Sequence, residues 1–284
     1  MNAINAAAPI FGSSFPSDQF QITESSGALC PSALWRLLQG RAVGHVVRGY
    51  VPGETANRLA DAFRNSVSRI RADGIPALTR GASHYGLSTK RYFDAIRATR
   101  GEMTRLFDTA KVNLVTNTNI DLQAALPGHQ VRAARHQGRD ADVLRAAAWA
   151  GGSATTAQLA CHDDEAQTRT RAQSDFEIRD VRAVCALNIY PACPRRGGEL
   201  RIYNVRVDQR CREARGVGET GYPYPEADLS GFSHLDIEVR RGDLVLIFGA
   251  LVHCVLGFEG SPTDRQVVNG FLGMLPNGEV VRWA

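Results

Sequence analysis

Residues 182–207 read RAVCALNIYPACPRRGGELRIYNVRV, and the reading of this stretch decides the fold. Two short apolar runs, 182–190 and 199–207, are separated by a segment carrying Pro191, Pro194, Gly197 and Gly198, the residues that end one strand and turn the chain into the next. The same texture extends outward on both sides. Short apolar runs broken by Pro and Gly clusters recur at 156–161, 235–248, 251–256 and 266–275. This half of the chain therefore predicts a β-sandwich or barrel, and no internal repeat is visible.

Upstream of Gly151-Gly152 the pattern is different. Residues 1–30 are rich in Ala, Ser, Pro and Gly without sustained periodicity and read as a loosely ordered lead-in. A strand follows His45 through Val46-Val47 and Tyr50-Val51, and Pro52-Gly53 turns into a helix marked by Leu59, Ala60, Phe63, Val67 and Ile70. A second helix is predicted from about Thr89 to Ala110, with Tyr92, Phe93, Ile96, Met103, Leu106 and Phe107 on one side. A third, short and Ala-rich, is predicted over Asp140–Trp149. The expected organisation is one domain over 31–284, helical from 53 to 150 with a β core over about 155–275. Segment 208–232, with several Gly and two Tyr-Pro steps, has no period; such a stretch inside a domain is expected to be a functional loop over the mouth of a site.

At 284 residues and 44% apolar content the chain can bury a substantial core. A net charge of +4 is small against 33 basic and 29 acidic residues, and the basic residues form no stripe. Nucleic acid is not an expected partner. No apolar run approaches a membrane span, and the first thirty residues do not read as a secretory signal. Six widely spaced cysteines without a CxxC pair read as free thiols in a cytoplasmic protein.

Three of the seven histidines fall in the strand-rich half, His162, His234 and His253. Two His-x-Asp patterns occur there, His162-Asp163-Asp164 and His234-Leu235-Asp236. On an extended segment such a pair shares one face, because strand side chains alternate. With a second His from a distant strand it can cap one triangular face of an octahedral Fe(II), leaving positions for a cosubstrate and O2. Spacing separates the two patterns. From His162 to His253 is 91 residues, room for the intervening strands, whereas from His234 to His253 is 19, room for one strand and its return. The expected ligands are His162, Asp164 and His253. Cys161 and Cys254 adjoin the histidines, but alternation points their thiols into packing rather than at a metal. Asp163 and Glu165 flank the expected ligand carboxylate and should alternate away from it, as solvated or loop residues.

The tract Ala186-Leu-Asn-Ile-Tyr190 followed by Gly197-Gly198-Glu199-Leu200-Arg201-Ile202-Tyr203 resembles the region after the iron-binding His-x-Asp in prolyl-4-hydroxylase-like members of the Fe(II)/2-oxoglutarate-dependent oxygenase superfamily. Arg241-Gly-Asp-Leu-Val-Leu-Ile-Phe248, His253 and Arg265 resemble the final block of that family, a strand, the distal His and a basic residue on the next strand. The resemblance covers roughly 155–275 in order. It implies an α+β fold with a double-stranded β-helix core, of jelly-roll or cupin-like type, backed by N-terminal helices. It also implies Fe(II), 2-oxoglutarate as cosubstrate, and O2. Arg265 would take the far carboxylate of the 2-oxo acid, a task suited to a permanently charged, bidentate cation.

Ala186 stands where relatives carry a Tyr that can contact the cosubstrate. Tyr190 and Tyr203 are candidates to supply that hydroxyl, and Asn188 and Asn269 could point amides into the barrel or serve only the strands. His84 and Tyr85 are the N-terminal residues to watch. Retention of Asp164, which related halogenases replace with Gly or Ala, implies hydroxylation of an unactivated C–H bond. By analogy with standalone bacterial enzymes, the substrate would be a small molecule such as an amino acid derivative or a natural-product intermediate. A protein side-chain hydroxylase and a non-catalytic metal-binding β-barrel are the alternatives.

Overall fold

The computed structural model describes residues 9–66, 70, 71, 77–149, 157–260 and 265–284. Two antiparallel strand systems carry the strand-rich half. A four-stranded sheet has the order Leu159–His162, His253–Val255, Leu200–Tyr203, His234–Ile237. A larger sheet has at its centre Leu244–Phe248, Val184–Ala192, Arg265–Met274 and Arg145–Trp149 in that order. From Arg145 onward the chain passes from the large sheet to the small one and back repeatedly, and every pairing among these eight strands is antiparallel.

Val184–Ala192 is the centre of the large sheet, paired on both sides, and its near-continuous burial explains why it reads as an unbroken apolar run. Pro191 cannot donate to a ladder, and it falls where the register with Arg265–Met274 shifts between Ile189 and Ala192. Helices cover the outer face. Thr89–Thr109 buries Tyr92, Phe93, Ile96, Met103, Leu106 and Phe107, the side expected from spacing, and Ser88 caps it by accepting from the Arg91 N–H. Gly53–Arg64 buries Leu59, Ala60 and Phe63 against the core. Val67, the Ile70 side chain and Gly151-Gly152 lie outside the described residues.

Two expectations need correction. The Ala-rich stretch expected as a helix over Asp140–Trp149 contains the strand Arg145–Trp149, wedged between Arg265–Met274 and Ala77–Arg80. Ala is a strong helix former, but intrinsic propensity is a weak determinant, and two ladders of backbone hydrogen bonds override it. The lead-in is more ordered than its composition suggests, because Ile22–Ser26 pairs in parallel with Gly44–Arg48 at the sheet edge, and Phe20 is buried. Helices Pro31–Leu38 and Leu114–Ala125 were not foreseen. The C-terminal strand Val280–Trp283 extends the large sheet and seats the fully buried Trp283.

Candidate metal centre and cavity

A cavity of about 430 Å³ lies between the inner faces of the two sheets, a size usual for small-molecule sites. From the large sheet it receives alternate residues of three neighbouring strands, among them Arg145, Asn188, Arg265 and Asn269. From the small sheet come Leu159, Leu200, His162 and His253. Period-two alternation selects the residues of the large sheet, and a register shift between Leu159 and His162 turns both of these inward.

His162 and His253 are direct cross-strand partners, which brings together residues 91 positions apart. Their rings lie 4.2 Å apart between centroids. Each ring is fixed by its own strand: the Nδ1 of His162 lies 2.9 Å from the Ala160 carbonyl oxygen, and that of His253 lies 2.8 Å from the Leu251 carbonyl oxygen. Nδ1–H donates to these oxygens, so each Nε2 keeps its lone pair and faces the carboxylate of Asp164. Nε2 of His162 is 3.8 Å from Asp164 Oδ1, and Nε2 of His253 is 3.4 Å from Oδ2. One ligand atom from each of the three residues lies within 4.8 Å of the other two.

Asp164 reaches this place by a route other than strand alternation. The strand ends at His162, and the chain turns at Asp163-Asp164 into the short helix Glu165–Thr168. Two backbone bonds hold the turn, Asp163 N–H to the Gly221 carbonyl at 2.9 Å and Asp164 N–H to the Gly249 carbonyl at 2.7 Å. A side chain on Gly249 would put its Cβ 2.7 Å from Asp164 Oδ2, so glycine there makes room for the carboxylate.

The donor set fits a divalent metal. Asp164 Oδ2 is buried without a hydrogen-bond partner among the described residues, a costly state that a cation would relieve. Burial raises the Asp164 carboxyl to about 7 and lowers both His162 and His253 to about 4. The imidazoles are therefore neutral ligands. Two neutral nitrogens and one carboxylate, all on one side, are the facial arrangement suited to non-haem Fe(II).

Arg265 is buried, lines the cavity, donates from Nε to the Gly198 carbonyl at 2.8 Å, and stacks 5.2 Å from the Tyr190 ring centroid. Its Nη2 has no partner among the described residues. Gly198 has φ +74°, and a Cβ there would lie 3.1 Å from Arg265 Cδ, so the glycine serves both the turn and the passage of the arginine. Asn188 and Asn269 are cross-strand partners, and both line the cavity, as does Tyr190; Asn269 Oδ1 is buried and has no partner among the described residues.

Tyr203 does not join them. It shares a strand with Leu200, but at odd spacing, so it faces the opposite side and packs with Cys161, Cys254 and Tyr224. Hence the only tyrosine hydroxyl from the expected pair that reaches the cavity is that of Tyr190. Cys161 and Cys254 also face this outer cluster. A hydrogen bond from Cys161 and burial push the Cys254 thiol up, the direction of a packing thiol rather than a thiolate.

Asp163 and Glu165 were expected to be solvated and are buried instead. Arg212, from the helix Gln209–Ala214, donates to Asp163 at 3.0 and 3.1 Å and to Glu165 at 3.0 Å. Tyr224 donates to Asp163 at 2.7 Å, and Arg206 donates to Glu165 at 3.0 Å. Burial alone would raise Glu165, but Arg206 and Arg212 hold it down to about 2. Segment 208–232 thus grips the residues on both sides of Asp164. It also reaches the cavity through Tyr222, whose ring lies 6.2 Å from that of His162. Tyr85 lines the cavity, whereas His84 is buried behind it, bonded to Gln173 and packed edge-on against Phe271.

The chain is 28% identical over 249 residues to the L-isoleucine 3(1)-dioxygenase of Pantoea ananatis (strain AJ13355), covering 84% of this chain and 82% of that enzyme. It shares a fold with the crystal structure of an N-substituted L-amino acid dioxygenase from Burkholderia ambifaria AMMD. That likeness has a TM-score of 0.53 at 14% identity over 89% of this chain and 91% of the other. No protein-family model matches.

Proposed function

We propose that this chain is an Fe(II)- and 2-oxoglutarate-dependent oxygenase that hydroxylates an unactivated C–H bond of a small molecule of the amino-acid class. The observation that carries the reading is the convergence of His162, Asp164 and His253 on one point inside a cavity that also holds the buried Arg265. The alternation of eight antiparallel strands between two sheets supports a double-stranded β-helix core. The amino-acid substrate class rests on the activities of the two relatives named above.

His162, Asp164 and His253 would hold the iron. Bound there, Fe(II) supplies the redox chemistry by which O2 and 2-oxoglutarate become succinate and CO2 while one oxygen atom enters the substrate C–H bond. The rest is positioning by the chain. Arg265 receives the far carboxylate of 2-oxoglutarate, with Tyr190 stacked on its guanidinium to hold it in place. Asn188 and Asn269 present amides to the cavity between the sheets, and Leu159, Leu200, Val255, Val267 and Phe271 make walls that exclude water. Free cysteines suit a cytoplasmic enzyme. Among the described residues no helix is long and apolar enough to cross a membrane.

The test is succinate formation from 2-oxoglutarate with Fe(II), stimulated by one of a panel of amino acids and N-acyl derivatives. Arg265→Gln is expected to raise the KM for 2-oxoglutarate roughly 30-fold, corresponding to about 2 kcal/mol for a lost buried charge-assisted bond. A protein that forms no succinate with any member of the panel, or whose 2-oxoglutarate KM ignores this substitution, would defeat the assignment.

A further inference from the structure

We infer that Arg145 is the anchor for a free carboxylate of the substrate, which makes the molecule oxidised a small carboxylic acid of α-amino-acid type rather than a residue inside a peptide. The inference rests on the oxygenase reading of the cavity and goes beyond it to a residue and a functional group.

Among the described residues lining the cavity, Arg145 and Arg265 carry the only formal positive charges, and Asp164 carries the only carboxylate. Asp164 is committed to the metal and Arg265 to the cosubstrate. That leaves one cation without a counter-ion. Arg145 forms no ion pair and no side-chain hydrogen bond with any described residue. Its neighbour His84 supplies no counter-charge, since burial, with Arg145 beside it, lowers that imidazole to about 4 and leaves it neutral. The desolvated guanidinium has its basicity lowered to about 10 by burial with no opposing charge, yet stays protonated at neutral pH. Arg145 is half-buried, so its guanidinium is open to the cavity, and a cation left without a counter-ion in a cavity marks a place for an anionic ligand.

Position decides which ligand. Arg145 is the cross-strand partner of Asn269, which is itself the partner of Asn188. Arg265 is the partner of Trp149, four residues further along the same sheet face, roughly 13 Å away at strand rise. The two arginines therefore serve separate parts of the cavity. Across the strand from Arg145 stands Asn269, whose amide oxygen has no partner among the described residues, and Ser83 and Tyr85 line the same cavity. A guanidinium next to a hydrogen-bond acceptor matches a carboxylate next to an amine or amide N–H, the two groups borne by the α-carbon of an amino acid or its N-acyl derivative. An internal peptide residue offers no free carboxylate to this cation.

The experiment uses the full chain loaded with Mn(II) and 2-oxoglutarate, so that nothing turns over, and reads binding by calorimetry. The probes are the proteinogenic L-amino acids, their N-acetyl derivatives and the carboxamides of both. The expected result is that at least one carboxylate binds and its carboxamide binds at least tenfold more weakly. Arg145→Gln should weaken the carboxylate at least tenfold and erase the preference, Arg145→Lys should restore part of it, and affinities for Mn(II) and 2-oxoglutarate should stay within twofold. Equal binding of acid and carboxamide, unchanged binding by Arg145→Gln, or binding of Mn(II) and 2-oxoglutarate with no member of the panel would each overturn the assignment. Should Arg145→Gln fail to fold, the acid and carboxamide comparison on the unaltered chain decides alone. Failure of the unaltered chain to bind Mn(II) and 2-oxoglutarate would instead remove the oxygenase reading beneath it.

Discussion

Two His-x-Asp tripeptides begin on strands of the same four-stranded sheet, and the fold uses them in opposite ways. His162 and Asp164 are buried on the inner side, with His253 across the strand from the first. His234 and Asp236 occupy the far edge and are exposed; Asp236 is held by Arg201 through two bonds of 2.7 Å, and His234 lies against the Tyr203 ring. The same three-residue pattern is the proposed ligand pair in one place and a cross-strand ion pair in the other. What separates them is the partner. His162 faces a histidine and a carboxylate whose Oδ2 has no hydrogen-bond donor among the described residues, whereas Asp236 already has a guanidinium.

The difference can be broken most sharply at its centre. Asp164→Ala is expected to remove divalent-metal binding measurable by calorimetry and to reduce turnover to background, because the only anionic ligand is lost. A variant that retained metal affinity would shift the site away from the first tripeptide. Next in size is the support behind it. Arg212→Met leaves Asp163 and Glu165 buried with one cation fewer; a loss of about 3–5 kcal/mol in urea unfolding is expected for breaking such a buried pair. Metal affinity should fall about 10- to 100-fold as the turn around Asp164 loosens. Unchanged stability would mean that the network is incidental. The smallest effect belongs to the edge motif: Asp236→Ala should alter stability by no more than about 1 kcal/mol, as for other solvent-accessible pairs, and leave metal affinity and kcat untouched.

Much of this contrast was legible in the sequence. Ninety-one residues between His162 and His253 allowed the sheets to close, and Gly197-Gly198 and Arg265 followed in the expected order. The features that escaped share a cause: each depends on a partner far away in the chain. Asp163 and Glu165 read as solvated because alternation was extended past His162, where the strand in fact ends, and nothing local announces that Arg212 returns to pair with them. Arg145 escaped because three consecutive alanines after it carry helical propensity, so its face could not be inferred until neighbouring strands fixed it. Tyr203 went the other way; counting from the inward Leu200 by twos would have turned it outward.

The cross-strand pairing of His162 with His253 also bears on how the protein is assembled. Ligands drawn from strands so far apart in the chain form no chelate in the unfolded polypeptide, so divalent metal has little to bind until the small sheet has closed. Metal then acts as a ligand of the folded state alone, adding RT ln(1 + [M]/Kd) to its stability. The apparent melting temperature of this enzyme thereby becomes a gauge of the free metal around it.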